Sequence, residues 1–187
     1  MAAKVKVKGG VLQSRLSFLE KHGGKAGLER VLARLTPGDR AVLAGLLPSA
    51  WYPFVVGQRL DAAIFAELGG GRPDFFLRLG AASADKNLGG VHRAFLRPGD
   101  AHGFLAQTPE IYSFYYDQGR RTYEPVGEHE AVLVTHDAET FSEADCLTVV
   151  GWHRRALEMC GVGGVEVVEE ECRARGGAVC RYRVRWA

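Results

Sequence analysis

EEECRARGGAVC, residues 169–180, puts two cysteines on either side of a turn. Gly176 and Gly177 let the chain reverse, so Cys172 ends one strand and Cys180 opens the next. The return segment VCRYRVRW (179–186) alternates: Cys180, Tyr182, Val184 and Trp186 fall on one face, Arg181, Arg183 and Arg185 on the other. That period of two predicts a strand with one buried and one wet side. VEVVEEEC (165–172) is its partner. SEADCLTVVGWHRRALEMCG (142–161) predicts a helix with Ser142 as N-cap and Gly161 as its stop. RRTYEPVG (120–127) and EAVLVTHD (130–137) predict an earlier pair of strands.

Upstream the period changes to that of helices. Leu12, Leu16 and Leu19 form a stripe that Gly23 and Gly24 end, and residues 26–47 hold two short amphipathic helices around Thr36-Pro37-Gly38-Asp39. Val55, Leu60, Ile64 and Leu68 mark a helix closed by three glycines at 69–71. Residues 74–96 and 98–119 continue the helical part. Helices first, then strand–strand–helix–strand–strand, is an α+β plan: N-terminal helices (about 11–118) packed on a four-stranded antiparallel sheet (about 119–187). With 187 residues, 47% of them apolar, and no linker-like stretch, a single domain over 1–187 is expected.

The 24 Lys and Arg against 22 Asp and Glu leave no electrostatic case for nucleic acid. Lys4, Lys6 and Lys8 have no apolar run behind them, which argues against a signal peptide, and no stretch approaches the roughly 18 apolar residues of a membrane span. A cytoplasmic protein is expected. There, cysteines are metal ligands or core residues more often than disulfides.

Cys172 and Cys180 lie eight positions apart across the turn, and Cys146 sits in the first turns of the helix that packs above them. Glu169 could add an oxygen, giving the tetrahedral donor set zinc favours. Three core cysteines are the alternative, since free cysteine is among the most buried residue types. The parity is awkward: Glu169 and Cys172 are three apart, so a regular strand would point them to opposite faces, and a bulge is required.

An aromatic helix, two strands, a Cys-bearing helix and VVEEECRARGGAVC followed by Tyr182 and Val184 resemble the 4-vinyl-reductase-like domain of phenol-responsive sensors, a relative of TRAPP vesicle-tethering subunits. The match spans about 105–186; the N-terminal half, with WYPFVVGQRLDAAIFAELGGG, is more similar to short myxobacterial proteins of that superfamily. The resemblance implies a structural zinc held by Cys146, Glu169, Cys172 and Cys180, whose separations of 23, 3 and 8 are close to the family's. It also implies a cavity for a small apolar molecule, for which Trp51, Phe54, Phe65, Phe104, Tyr112, Tyr115 and Tyr116 are the candidate lining. The sensors' ligand-orienting Trp and His have no counterparts here, so phenol specificity is not implied.

Related haem-binding gas sensors need a proximal His and a Tyr-x-Ser-x-Arg clamp. Here Tyr116, Gln118 and Arg120 have Gln for Ser, and His102 stands only 18 residues before Arg120, too close for that pattern. Haem is therefore not expected. His153 is read as a satisfied core histidine. No nucleophile elbow, P-loop or HExxH is present, so no enzyme is expected. The expectation is a non-catalytic, zinc-stabilised sensor of a small apolar molecule. A TRAPP-like protein-interaction scaffold is the alternative, and a homodimer built through the helices of 12–68 around Trp51, Tyr52 and Phe54 goes with either.

Overall fold

The structure, a computed structural model, describes residues 5–72, 74–90 and 92–187. Lys4, on which part of the reading of the N-terminus rests, lies outside them.

The predicted alternation in 179–186 becomes strand β6 (Cys180–Arg185), with Cys180, Tyr182 and Val184 buried. It lies between β4 (Glu130–His136) and β5 (Glu166–Glu171), and β3 (Arg120–Gly127) adds to the other side of β4. All three pairings are antiparallel, as expected from the sequence, and the structure sets their order as β3-β4-β6-β5. The outer face of this sheet is a charge ladder in which Arg183 pairs with Glu130 and Glu170. The expected irregularity is present too: the β5–β6 register shifts between Glu169 and Glu171.

Helix α1 (Gly9–Ala33) is broken at Gly24, whose φ of 60° a side chain would resist. Thr36 caps α2 (Pro37–Ala44) by accepting the Asp39 N–H. Helix α3 (Phe54–Ile64) runs on into a π-turn over Phe65–Gly69 before the glycine run ends it. Helices α4 (Phe75–Leu88), α5 (Ala101–Leu105) and α6 (Thr108–Tyr115) follow, and α7 (Glu143–Met159) joins the two strand pairs. A second sheet, unforeseen, pairs β1 (Lys6–Lys8) with β2 (Trp51–Pro53). Three-residue strands are too short to show a period, so only the pairing reveals them.

Two apolar clusters result. One gathers Leu12, Leu19, Leu60, Ile64 and Leu79 among the N-terminal helices. The other gathers Leu88, Phe104, Leu133, Leu157 and Tyr182 between the sheet and α7. Helices α4 and α7 bring the two together by crossing at glycines. A Cβ on Gly80 would stand 2.0 Å from the Thr148 carbonyl oxygen, and one on Gly151 2.0 Å from that of Leu77. Tyr115 packs against both clusters, at the seam between them.

Candidate functional site

The seam is built from α1, α4, α6 and α7. Val11, Ser14 and Arg15 face Ser83 and Asn87 across it, with Ile111, Tyr112, Tyr115, Thr148, Trp152 and His153 completing a cavity of only about 60 Å³. Side chains fill most of the space. The Tyr112 and Tyr116 rings stack with centroids 4.8 Å apart and 15° between planes. Arg15 donates to Asp61 at 3.0 Å and to Asp145 at 3.3 Å, and the Tyr116 hydroxyl lies 3.3 Å from both Asp145 oxygens. Two buried carboxylates share one guanidinium here. Burial first, and Asp61 after it, outweigh Arg15 and push the Asp145 carboxyl up to about 6.

A second buried pair closes the sheet side. His153 Nδ1 lies 2.8 Å from the Val149 carbonyl and therefore carries the ring proton, while Nε2 accepts from Arg121 Nη1 at 3.2 Å. Burial, and then the Arg121 charge, hold His153 at about 3, so it is neutral, a satisfied core histidine.

The seam opens outward into a larger groove of about 530 Å³, lined by Lys8, Gln13, Pro48, Lys86, Asn87, His92, Phe114 and Tyr115 among others. Asn87 and Tyr115 line both spaces. The Tyr115 hydroxyl is buried with no hydrogen-bond partner among the described residues.

Of the seven aromatics expected to line a pocket, Tyr112, Tyr115 and Tyr116 do so. The other four stand elsewhere. Phe54 is a core residue of the N-terminal cluster, Phe65 stacks on Phe76, and Phe104 is fully buried against Trp152. Trp51 is 38% exposed, under the Lys8 ammonium. An aromatic packs equally well in a core or a cavity wall, so composition could not separate them. Arg15, Asp61, Asp145 and Arg121 went unnoticed. The usable signal was phase: Arg15 follows Leu12 by three and precedes Leu19 by four, a charge inside an apolar stripe.

The C-terminal constellation comes together as the spacing suggested. One donor atom each from Cys146, Glu169, Cys172 and Cys180 lie within 4.8 Å of one another. Cys146 Sγ stands 3.5 Å from that of Cys172 and 3.7 Å from that of Cys180, and the Arg173 N–H donates to Cys180 Sγ at 3.5 Å. Its hydrogen bond with Cys146, together with the one from the Arg173 amide, lowers the Cys180 thiol to about 7, and the same contact drives Cys146 upward. The bulge after Glu169 lets it share this face. Arg175 donates to its Oε2 at 2.8 Å, and its Oε1 is buried without a partner among the described residues. Cys160 lies apart, accepting from the Arg97 N–H.

No protein-family model and no curated protein matches this sequence. In fold, the chain is similar to H-NOX (heme-nitric oxide/oxygen binding) proteins. The Fe(II) unliganded A71G mutant from K. algicida superposes with a TM-score of 0.75 at 13% identity over 96% of both chains. An H-NOX protein from S. oneidensis in the Fe(II)NO ligation state gives 0.73 at 12%, over 96% of this chain and 99% of that one. A structure made to probe heme distortion in the H-NOX family gives 0.72 at 12%, over 96% and 94%. The chain has the α+β fold of H-NOX proteins.

That likeness overturns the resemblance to the 4-vinyl-reductase-like domain, and the TRAPP likeness with it. The resemblance rested on the C-terminal part and a cysteine pattern, whereas the H-NOX superposition takes in the helical half as well. Structural zinc is corrected too, because the overturned family carried it, and heme is the cofactor named for the fold's relatives. What the chain itself holds is a knot of three buried thiols that hydrogen-bond one another.

A haem does not fit these residues. It needs an axial ligand and a space of the order of the roughly 300–1,000 Å³ of ligand sites. The cavity in the seam is about 60 Å³, and the imidazole on its wall, His153, has both nitrogens engaged. His102 is elsewhere, 2.6 Å from the Tyr123 hydroxyl and 3.0 Å from the Gly127 carbonyl. Tyr116 is bonded to Asp145, and Arg120 is exposed on β3. His92 borders the larger groove but is packed among Phe95, Phe114 and Tyr115 with ring centroids 5.5–5.8 Å away, where a macrocycle would need open space.

Proposed function

We propose that residues 1–187 form one non-catalytic, small-molecule-binding domain that uses the H-NOX fold without a haem and works in the cytoplasm. The observation that carries this reading is the groove of about 530 Å³ beside the seam, within the size range of ligand sites and sharing Asn87 and Tyr115 with the smaller cavity. The Arg15–Asp61–Asp145–Tyr116 network occupies the interior, so a guest enters only as far as the groove. Purified protein titrated with haemin should give no sharp, saturable Soret band. A library of small aromatic and apolar compounds should give thermal shifts that Phe114→Ala abolishes. A stoichiometric haemin complex, or no shift with any compound, overturns the reading.

Two further proposals go with it. Cys146, Glu169, Cys172 and Cys180 are a candidate cation site; the buried, unpartnered Glu169 Oε1 beside three thiols supports it. Self-association through the helical half is supported by exposed Leu47, Trp51 and Val55. Phe54, once grouped with Trp51, is core and takes no part.

A further inference from the structure

The walls of the groove carry a charge bias that goes beyond its size. Lys8 and Lys86 stand on its lining, and no Asp or Glu does among the described residues. Lys8 Nζ donates to the Ser49 carbonyl at 2.8 Å and lies 3.9 Å over the Trp51 ring. Lys86 Nζ reaches the Ser17 hydroxyl and, at 3.4 Å, the Gln13 carbonyl. Both ammonium groups are thus held by neutral acceptors, and neither has a carboxylate partner among the described residues. A cation fixed by carbonyls keeps its full charge for a guest, and a mainly apolar recess strengthens that field.

The rest of the lining is aromatic. Phe114 is 42% exposed although it sits in a cluster with His92 and Phe95, so one face is left without a protein neighbour. Tyr115 is its neighbour on the lining; the Tyr115 hydroxyl is buried with no partner among the described residues, and burial pushes its ionisation well above the usual range, so it stays a neutral donor. A hydrogen bond left unmade in a recess is one that a guest with an acceptor would complete.

We infer that the groove binds a small planar aromatic anion, its ring against Phe114 and its carboxylate or equivalent acid between Lys8, Lys86 and the Tyr115 hydroxyl. This rests on the small-molecule reading above and adds the chemical class. A neutral aromatic would leave the two ammonium groups and the hydroxyl unused. An aliphatic acid would leave the aromatic wall bare.

The test uses the full chain and two isosteric probes, 2-naphthoate and 2-naphthalenemethanol, followed by isothermal titration at low salt. Naphthoate should bind saturably and more tightly than the alcohol by about tenfold or more, the worth of one charge-assisted hydrogen bond. Lys86→Met, which keeps the stem and removes the charge, should abolish that preference. Tyr115→Phe should weaken naphthoate without altering the fold. Equal affinity for the two probes, or a preference that survives Lys86→Met, overturns the anion inference and leaves the small-molecule reading standing. Binding of neither probe overturns both.

Discussion

Arg121 Nη1 lies 3.2 Å from His153 Nε2, with both side chains buried at the end of the seam. The guanidinium cannot give up its proton, so it fixes the imidazole as an acceptor and Nδ1 as the protonated nitrogen. Arg121 in turn donates to Thr135 at 3.1 Å and lies 5.0 Å from the Tyr112 ring centroid. One polar pair thereby ties β3, β4, α6 and α7 together where a cofactor cavity would otherwise need to be open.

This pair makes stability depend on pH. His153 is held at about 3 when folded, against an ordinary value of 6.5. A depressed folded value means the unfolded chain binds the proton more readily. The contribution is present above pH 6.5 and is lost as pH falls from there towards 3. It amounts to roughly 5 kcal/mol in the limit. Urea melts of the protein and of His153→Gln at pH 7 and pH 5 should show a smaller acid loss in the variant. Equal losses would mean other groups set the acid limit.

The crossing of α4 on α7 should tolerate no side chain at its glycines. Gly151→Ala would place a Cβ 2.0 Å from the Leu77 carbonyl oxygen, a backbone atom that cannot swing away. Thermal or chemical unfolding should show a loss of about 2–4 kcal/mol. Gly163→Ala, with nothing within 4 Å of the new methyl, is the matched control and should be near neutral.

For the thiol cluster, native mass spectrometry should find one bound cation per chain that a chelator removes. Glu169→Gln should weaken retention, because it replaces the unpartnered carboxylate oxygen by a neutral one. Cys160→Ser should not, as Cys160 lies outside the cluster. A chain that carries no cation at micromolar concentrations of divalent metal would leave the cluster as core cysteines.

Self-association should be visible by light scattering as about twice the chain's 20.4 kDa, with Trp51→Ala reducing it. Trp51 is 38% exposed beside Leu47 at 63% in the same stretch of chain, and tryptophan is enriched at interface centres. A monomeric mass at micromolar concentration ends the proposal.

Local pattern was the legible part. Cys180, Tyr182 and Val184 alternate with arginines because one side of β6 meets α7 and the other meets water, and that contrast is written residue by residue. The same holds for the glycine stops at 24 and 70 and for the bulge, which the odd spacing of Glu169 and Cys172 demanded. The cysteine constellation could be anticipated for a related reason: a hairpin and the helix before it have few ways to pack. The family inferred from that constellation was wrong, since a short donor pattern says little about the helical half to which it is attached.

The α+β class, the strand–strand–helix–strand–strand order of the C-terminal part and the need for a bulge near Glu169 were legible in sequence alone, because period, turn residues and spacing act over a few residues. Whether the seam is a cofactor cavity or a filled one was decided only in three dimensions. Arg15, Asp61 and Asp145 are far apart in the chain, and nothing local says that one guanidinium will bind both carboxylates or that Tyr116 will close over them. Long-range packing of α1 on α3, α6 and α7 sets those distances. The same packing leaves the groove beside Phe114 and Tyr115 as the place for a guest.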